Sequence, residues 1–345
     1  MTTYRDAILE ATVEAMEQDE GVVLYGIGVP DKNAVFGTVA GCAERWPGRV
    51  LDSPLCEDSL VGMGLGMAMG GLRPVNIHIR ADFLLLAMNQ IANMASSYQQ
   101  FTRVPVPLTI RAIVGRGWGQ GWHHSKSMMA SFAHIPGIDV AVPATPSDAK
   151  HMLLAAIRGT KPTIIFEHRW LYWAEGEIDE GWGGYDPRGV YGDLDADVQI
   201  VAVGLMVAES ILAAQILASV GVKAHVVNMR YLKPVSHVGL SLAVGLRRGQ
   251  DKVVVAEDDW SSYGAGAEIA MSLYEMADRK IQVKRMGWKN RHVPTSKSGE
   301  ENTYCHALEI ALRAAELVGI DLASVCVAAH AFESISHGHP FKGPF

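Results

Sequence analysis

In the stretch "DSPLCEDSLVGMGLGMAMGGLRPV", residues 52–75, one acidic pair, Glu57 and Asp58, stands at the mouth of an apolar, glycine-studded run. Burying an ionised carboxylate without a partner costs several kcal/mol, so each of these must face water or meet a group that needs a carboxylate. A second reactive pair, His123 and His124, lies in "GWHHSKS". Histidine moves protons near neutral pH, and adjacent residues on an extended or irregular segment point different ways, so at most one of the two faces a common site. Arg80 in "IHIRADF" and Lys126 in "HSKS" carry cations of the kind that pair with carboxylate or phosphate. With Trp118 and Trp122 they are candidates for the wall of an anion-accepting pocket, the plainer reading being a subunit face or solvent. The four cysteines, Cys42, Cys56, Cys305 and Cys326, have neither metal-ligand nor disulfide spacing. His330, His337 and His339 fall in an aperiodic tail, where a single flexible strand fixes no coordination geometry, so a docking or disordered tail is expected there and no metal site. No Walker loop or strand-following G-x-G-x-x-G offers a phosphate cradle, and "GRGWGQGW" precedes no recognisable helix.

The elements that must carry these residues alternate in type. Short apolar, β-branched runs at 21–28, 73–79, 107–114, 137–143 and 162–168 have the pattern of buried parallel strands. Helical stretches at the N-terminus and at 57–71, 82–100 and 148–158 lie between them, which predicts a doubly wound α/β domain. Glu57 then opens a helix and Arg80 follows a strand. Gly62, Gly66 and Gly70, four apart, would line one side of that helix and let another backbone approach, as at a subunit interface. Residues 174–196 are rich in glycine and acids and lack periodicity, so a linker is placed there. A second series follows, with strands at 198–204, 223–229, 251–257 and 283–288 and helices near 206–220, 236–248, 264–278 and 301–318. The expected organisation is an α/β domain over 1–175, a linker over 176–196, a second α/β domain over 197–330 and a tail over 331–345.

Composition narrows the function classes. The 345 residues are 49% hydrophobic and 19% charged, apolar enough for large cores and for surface covered by partner subunits. Thirty basic against 37 acidic residues leave a net charge of −7, which argues against nucleic acid or an anionic membrane as partner. The N-terminal segment lacks the basic and apolar regions of a signal peptide, and the longest apolar runs fall short of the roughly 18 residues that span a bilayer. With unpaired cysteines, this points to a cytoplasmic protein.

Read in order, "DSPLCEDSLVGMGLGMAMGGLRPV", "ADFLLLAMNQIANMAS", "HHSKS", "IPGIDVAVP" and "FEHRWLYW" resemble the β subunit of thiamine diphosphate-dependent 2-oxo acid dehydrogenases, a transketolase-like group. "VNMRYLKPV" and "VVVAEDDWSSYGAGAEIA" extend the resemblance into the second half, so it covers about residues 4–315. The resemblance implies a transketolase-like pyrimidine-binding domain followed by a transketolase C-terminal-like domain. It implies that Glu57 hydrogen-bonds a ring nitrogen of the cofactor's aminopyrimidine and pushes it towards the imino tautomer that takes the thiazolium proton. Phe83 then packs on the pyrimidine, Leu55 and Ile79 complete that wall, and His124 handles protons near the reactive carbon, while Arg80 and Lys126, which depart from the family's pattern, are candidates to face the substrate or else a partner subunit or solvent. Asp58 fits a helix-start role, and a Phe after a strand is otherwise ordinary core. The family's magnesium and diphosphate motif, a G-D-G with a downstream asparagine, is missing here. A partner α subunit is therefore expected to supply Mg2+ and the diphosphate site, in a heterotetramer of two α and two β subunits. The implied reaction is decarboxylation of a 2-oxo acid with acyl transfer to a lipoyl group, with a lipoyl acyltransferase as a possible further partner.

Four departures mark this chain. Ile27 in "GIGV" replaces an acidic residue, and "IHIRADF" places Ile77, Ile79 and Arg80 where Glu, Gln and an aromatic are usual. Gly159 follows "AIR" where some members have an aspartate for a monovalent cation, so that site is not carried over. Lys126 stands in place of a glutamine. These changes keep open a split transketolase-like subunit that passes its acyl or ketol unit to an aldehyde, and a non-catalytic paralogue stands as the third reading.

Overall fold

The structure is a computed structural model that describes residues 1–116, 119–248 and 250–332; Trp118, His337 and His339 lie outside the described residues. The chain divides into two compact units, residues 1–116 with 123–184, and residues 119–122 with 185–332.

The first unit contributes six parallel strands in the order Asp139–Ala141, Thr163–His168, Thr109–Val114, Arg73–Ile79, Val22–Gly26, Val50–Asp52. Every residue of the Val22–Gly26, Thr109–Val114, Asp139–Ala141 and Thr163–His168 strands is buried, as in a parallel sheet covered on both faces. Helices Tyr4–Gln18 and Pro146–Arg158 pack on each other. Thr3 caps the first by accepting the Asp6 N–H, and a reciprocal Thr145–Asp148 box with Pro146 in the first turn starts the second.

One polar network crosses this core. Arg111 lies opposite Ile165, so Glu167, two residues further on, shares its face of the sheet. The Glu167 carboxylate accepts from Arg111 Nε at 2.5 Å and Nη2 at 3.0 Å, and from the Tyr172 hydroxyl at 3.0 Å. Arg111 Nη2 also donates to Thr38 Oγ1 at 2.9 Å. All the ionic partners are sealed from water, so each charge depends on the other.

The second unit has a five-stranded sheet in the order Gln282–Trp288, Lys252–Trp260, Val198–Ala202, Ala224–Asn228, Arg188–Tyr191, the last strand antiparallel and the others parallel. Helices Leu205–Ser219, Ala265–Met276 and Ala307–Val318 pack on it. The glycines of "AEDDWSSYGAGAE" make room for close neighbours: the buried Glu257 carboxylate accepts the Gly266 N–H at 2.9 Å, a Cβ at Gly266 would lie 2.6 Å from its other oxygen, and one at Gly264 would collide with the Trp260 carbonyl and with Glu257. Among the described residues no helix is long and apolar enough to cross a membrane.

Several elements differ from the sequence reading. The 82–100 run is not one helix: Ala81–Ala87 winds as 3-10, Gln90–Ala95 as π and Ser96–Thr102 as α. Within the stretch read as linker, Arg188–Tyr191 pairs with Ala224–Asn228, and Val50–Asp52 is a strand that the pattern did not indicate. The 236–248 helix stops at Ala243, and the last long helix begins at Ala307 after a short turn of helix at Lys297–Glu301. The glycine that allows a close approach inside this chain is Gly64, where a Cβ would collide with the Tyr25 hydroxyl and lie 2.9 Å from Leu108. Gly66 has nothing within 4 Å of such a Cβ, and Gly62 meets only Gln90.

Candidate active site

The candidate cofactor and substrate residues lie at or after the carboxyl ends of parallel strands in the first unit. Leu55 and Glu57 come after Val50–Asp52, Ile79 and Arg80 close Arg73–Ile79, Phe83 lies in the 3-10 turn beyond it, and His124 and Lys126 lie in the loop after Thr109–Val114. Ligands of open α/β sheets gather at this edge because the loops there are free to vary while the strands hold them in place.

Glu57 is the first residue of the helix Glu57–Met69, where the helix dipole favours a carboxylate. It is only 6% exposed, and its side chain makes no hydrogen bond or ion pair with another described residue. Asp58 is different: it accepts from Gln90 Nε2 at 3.3 Å. The acidic pair thus divides into one residue with a local partner and one carboxylate held nearly dry with its oxygens uncommitted.

The helix that Glu57 starts packs against the 3-10 helix Ala81–Ala87 that carries Phe83. The Phe83 ring meets His124 edge to face, centroids 5.3 Å apart at 80°. His123 is exposed and His124 half-buried, so the two histidines face different surroundings, with His124 on the aromatic residue. Ile79 is partly buried, whereas the Leu55 side chain is 78% exposed. Trp122 is exposed as well, and so is His330 in the second unit. Among the described residues no group of three or more His, Cys, Asp or Glu side chains could hold a metal ion.

Three residues that the sequence reading did not single out complete the electrostatics. Asp82, 8% exposed, accepts the Lys126 backbone N–H with both oxygens, at 3.3 and 3.4 Å, and lies 3.9 Å from Lys126 Nζ. Burial pushes its carboxyl up to about 7, against the opposing pull of Lys126 and Arg80. Arg80 and Arg169 both lie over the Phe36 ring, 5.6 and 3.5 Å from its centroid. Burial, then the neighbouring Arg80 charge, brings Arg169 down to about 10, and burial lowers Arg80 too. Phe36 is held at a φ of 60°, a left-handed conformation uncommon for a bulky aromatic and typical of ligand-binding segments. Asp82 stands in plain view in "ADF", but nothing nearby in the chain announces Lys126 as its partner. Phe36 and Arg169 carry no local signal at all.

The arrangement offers a largely buried carboxylate with free acceptor capacity, an aromatic–imidazole pair and a cluster of buried cations. The first of these fits a protonated heterocyclic nitrogen, which needs an acceptor shielded from water.

Comparisons with known proteins match most of the chain. The family model described as transketolase, pyrimidine binding domain matches residues 1–173, and the one described as transketolase, C-terminal domain matches residues 192–310. The 2-oxoisovalerate dehydrogenase subunit beta of Bacillus subtilis (strain 168) is 34% identical over 299 residues, covering 82% of this chain and 88% of that protein. The mitochondrial pyruvate dehydrogenase E1 component subunit beta-1 of Oryza sativa subsp. japonica is 32% identical, covering 79% of this chain and 74% of its own length. The acetoin:2,6-dichlorophenolindophenol oxidoreductase subunit beta of Cupriavidus necator is 36% identical, covering 66% and 71%. Among solved structures, a split gene transketolase described as an inactive beta4 tetramer superposes with a TM-score of 0.76 at 22% identity, over 93% of this chain and 99% of that one. A Pichia stipitis transketolase superposes at 0.69 with 19% identity, over 92% of this chain and 46% of its own. At these identities the structures share the fold.

Proposed function

The chain belongs to the family of thiamine diphosphate-dependent 2-oxo acid dehydrogenase β subunits, and from that membership we propose how its own residues divide the work. The observation that carries the proposal is the Glu57 carboxylate, 6% exposed and without a hydrogen bond or ion pair among the described residues, on a helix packed against the turn that bears Phe83.

When bound, thiamine diphosphate would supply the carbon nucleophile that a 2-oxo acid needs to lose carbon dioxide. Glu57 would hold the pyrimidine by sharing a proton with its ring nitrogen, a bond that its largely buried setting would strengthen. Phe83 and Ile79 line the pyrimidine, and the exposed Leu55 is free to cover it from the side that a partner chain approaches. His124, held against Phe83, donates or removes a proton at the substrate oxygen. Arg80 and Lys126 face the anionic part of the substrate. This chain lacks the G-D-G motif, so an α subunit supplies Mg2+ and the diphosphate site, in an assembly of two α and two β subunits. A lipoyl acyltransferase would be the further partner that accepts the acyl group. The four cysteines are unpaired, two of them exposed, which suits a reducing cytoplasm.

The test is reconstitution with the α subunit and a panel of 2-oxo acids, each with lipoamide or an aldehyde as acceptor. Acyl transfer to lipoamide that falls about 10²-fold or more in Glu57→Gln is the expected result. Turnover with the aldehyde alone assigns the chain to the split transketolase reading, and unchanged turnover in Glu57→Gln removes Glu57 from the chemistry.

A further inference from the structure

The segment that carries His124 has little regular structure of its own: among the described residues of 119–128 the one helical turn is Gly121–His123. A catalytic imidazole has to be held to within a fraction of an ångström, so something outside the segment must fix it. Two of the ties that hold the segment bear on His124 and on the residues just after it. Phe83 holds the His124 ring, and the residue before it, Asp82, holds the backbone of Lys126, two residues after His124. Both anchors come from the 3-10 helix Ala81–Ala87, whose tight winding follows directly on the Arg73–Ile79 strand.

We propose that Asp82 is a positioning residue for this enzyme: its ionised carboxylate grips the Lys126 N–H and ammonium, and thereby sets the imidazole of His124 against Phe83. The inference rests on the reading of His124 as the residue that handles the substrate proton. A carboxylate that takes one N–H on both oxygens and also faces an ammonium holds its partner by charge as well as by hydrogen bonding. Protonation leaves a weaker, neutral acceptor. Besides His123 and His124 in the gripped segment and Arg73, paired with Asp19 at the start of its strand, the charged and titratable groups of the elements packed against Ala81–Ala87 are the following. Lys126 and Arg80 act on it directly. From the Glu57–Met69 helix come Glu57 and Asp58, the latter bonded to Gln90. From the Arg73–Ile79 strand comes His78, which burial lowers to about 4 and so keeps neutral. From Thr109–Val114 comes Arg111, already paired with Glu167. With Asp82 brought up to about 7 by burial, its grip is complete only above neutral pH.

The experiment uses the full complex with its α subunit, labelled with ¹³C at the Cε1 of histidine, and compares the wild type with Asp82→Asn and Asp82→Ala. Asparagine keeps an oxygen for the Lys126 N–H but cannot ionise; alanine removes both. In the wild type the His124 resonance should show, besides its own titration, an inflection near pH 7 that is absent in Asp82→Asn. The acid limb of kcat near pH 7 should flatten in the same variant, with kcat about 3- to 10-fold lower above neutral pH and KM within twofold. Asp82→Ala should lose about a further tenfold in kcat. A His124 titration in Asp82→Asn that superimposes on the wild type overturns the proposal, and so does equal kcat in the two variants. If the alanine variant does not assemble, the near-isosteric asparagine variant decides alone. If the wild-type complex turns over no 2-oxo acid while the His124 inflection still disappears in Asp82→Asn, the positioning stands and the functional reading fails.

Discussion

Glu57 and Glu167 are both buried glutamates of the first unit, and their surroundings give them opposite roles. Glu167 accepts three hydrogen bonds and neutralises Arg111, so its removal leaves a sealed guanidinium without its counter-charge. Glu167→Ala is expected to cost about 3–5 kcal/mol of stability. Glu57 makes no such bonds within the described chain, so Glu57→Gln should leave stability within about 1 kcal/mol while abolishing turnover of the complex. Urea unfolding of the β chain, set beside the rate of the assembled enzyme, separates the two: a Glu57→Gln chain that unfolds as readily as Glu167→Ala would make Glu57 a structural residue. Glu57 is legible in the sequence because a carboxylate is conspicuous in an apolar run. Asp82 is not, since its significance lies in Lys126, far along the chain, and Arg169 is not because its neighbours Phe36 and Arg80 arrive on separate loops.

At the scale of elements, the inner strands of both sheets are legible because parallel strands, buried on both faces, are uninterrupted apolar runs. The 82–100 segment breaks the expectation of one helix because apolar spacing does not distinguish a backbone bonded i to i+3 or i to i+5 from an α-helix. Arg188–Tyr191 escapes detection because an edge strand with exposed residues and glycine looks like a linker. The helix Glu57–Met69 shows the same limit, since equal spacing of glycines does not reveal which of them is crowded. Gly64→Ala should destabilise by about 1–3 kcal/mol, because the new methyl meets Tyr25 and Leu108. Gly66→Ala meets nothing in its own chain, and the gain in helix propensity, about 1 kcal/mol, should hold or raise the melting temperature of the isolated subunit. If this glycine side of the helix packs on another subunit, the same methyl weakens assembly. Sedimentation of Gly66→Ala with the α subunit checks this: full assembly at wild-type affinity would show that this side is not an interface.

For the whole molecule the buried acids set how stability depends on pH. Asp82 in the first unit and Glu257 in the second have folded-state values raised by burial to about 7 and about 8, from ordinary values of 3.8 and 4.5. A carboxyl raised on folding contributes stability that is complete below its unfolded value and is lost as pH rises through its folded one. His78 acts in the other direction: lowered by burial to about 4 from 6.5, it costs stability as pH falls from 6.5 towards 4, when the unfolded chain takes up a proton that the fold refuses. Above pH 6.5 the histidine contribution fades within about one unit of pH and is smaller than that of the acids, so the two acids govern the slope. Each costs about 1.36 kcal/mol for every step of one in pH over which it stays protonated in the fold alone, so stability should fall by about 2 kcal/mol between pH 6.5 and 8. Glu257→Gln should remove the larger part of that fall and Asp82→Asn the smaller, because the Glu257 value lies further above the start of the window. Denaturant unfolding at the two pH values, repeated in each variant, measures the slopes. Because ionised Asp82 also grips Lys126, the complex should work fastest on the alkaline side of the pH at which its β chain is most stable, and coincident optima for rate and stability would contradict that link.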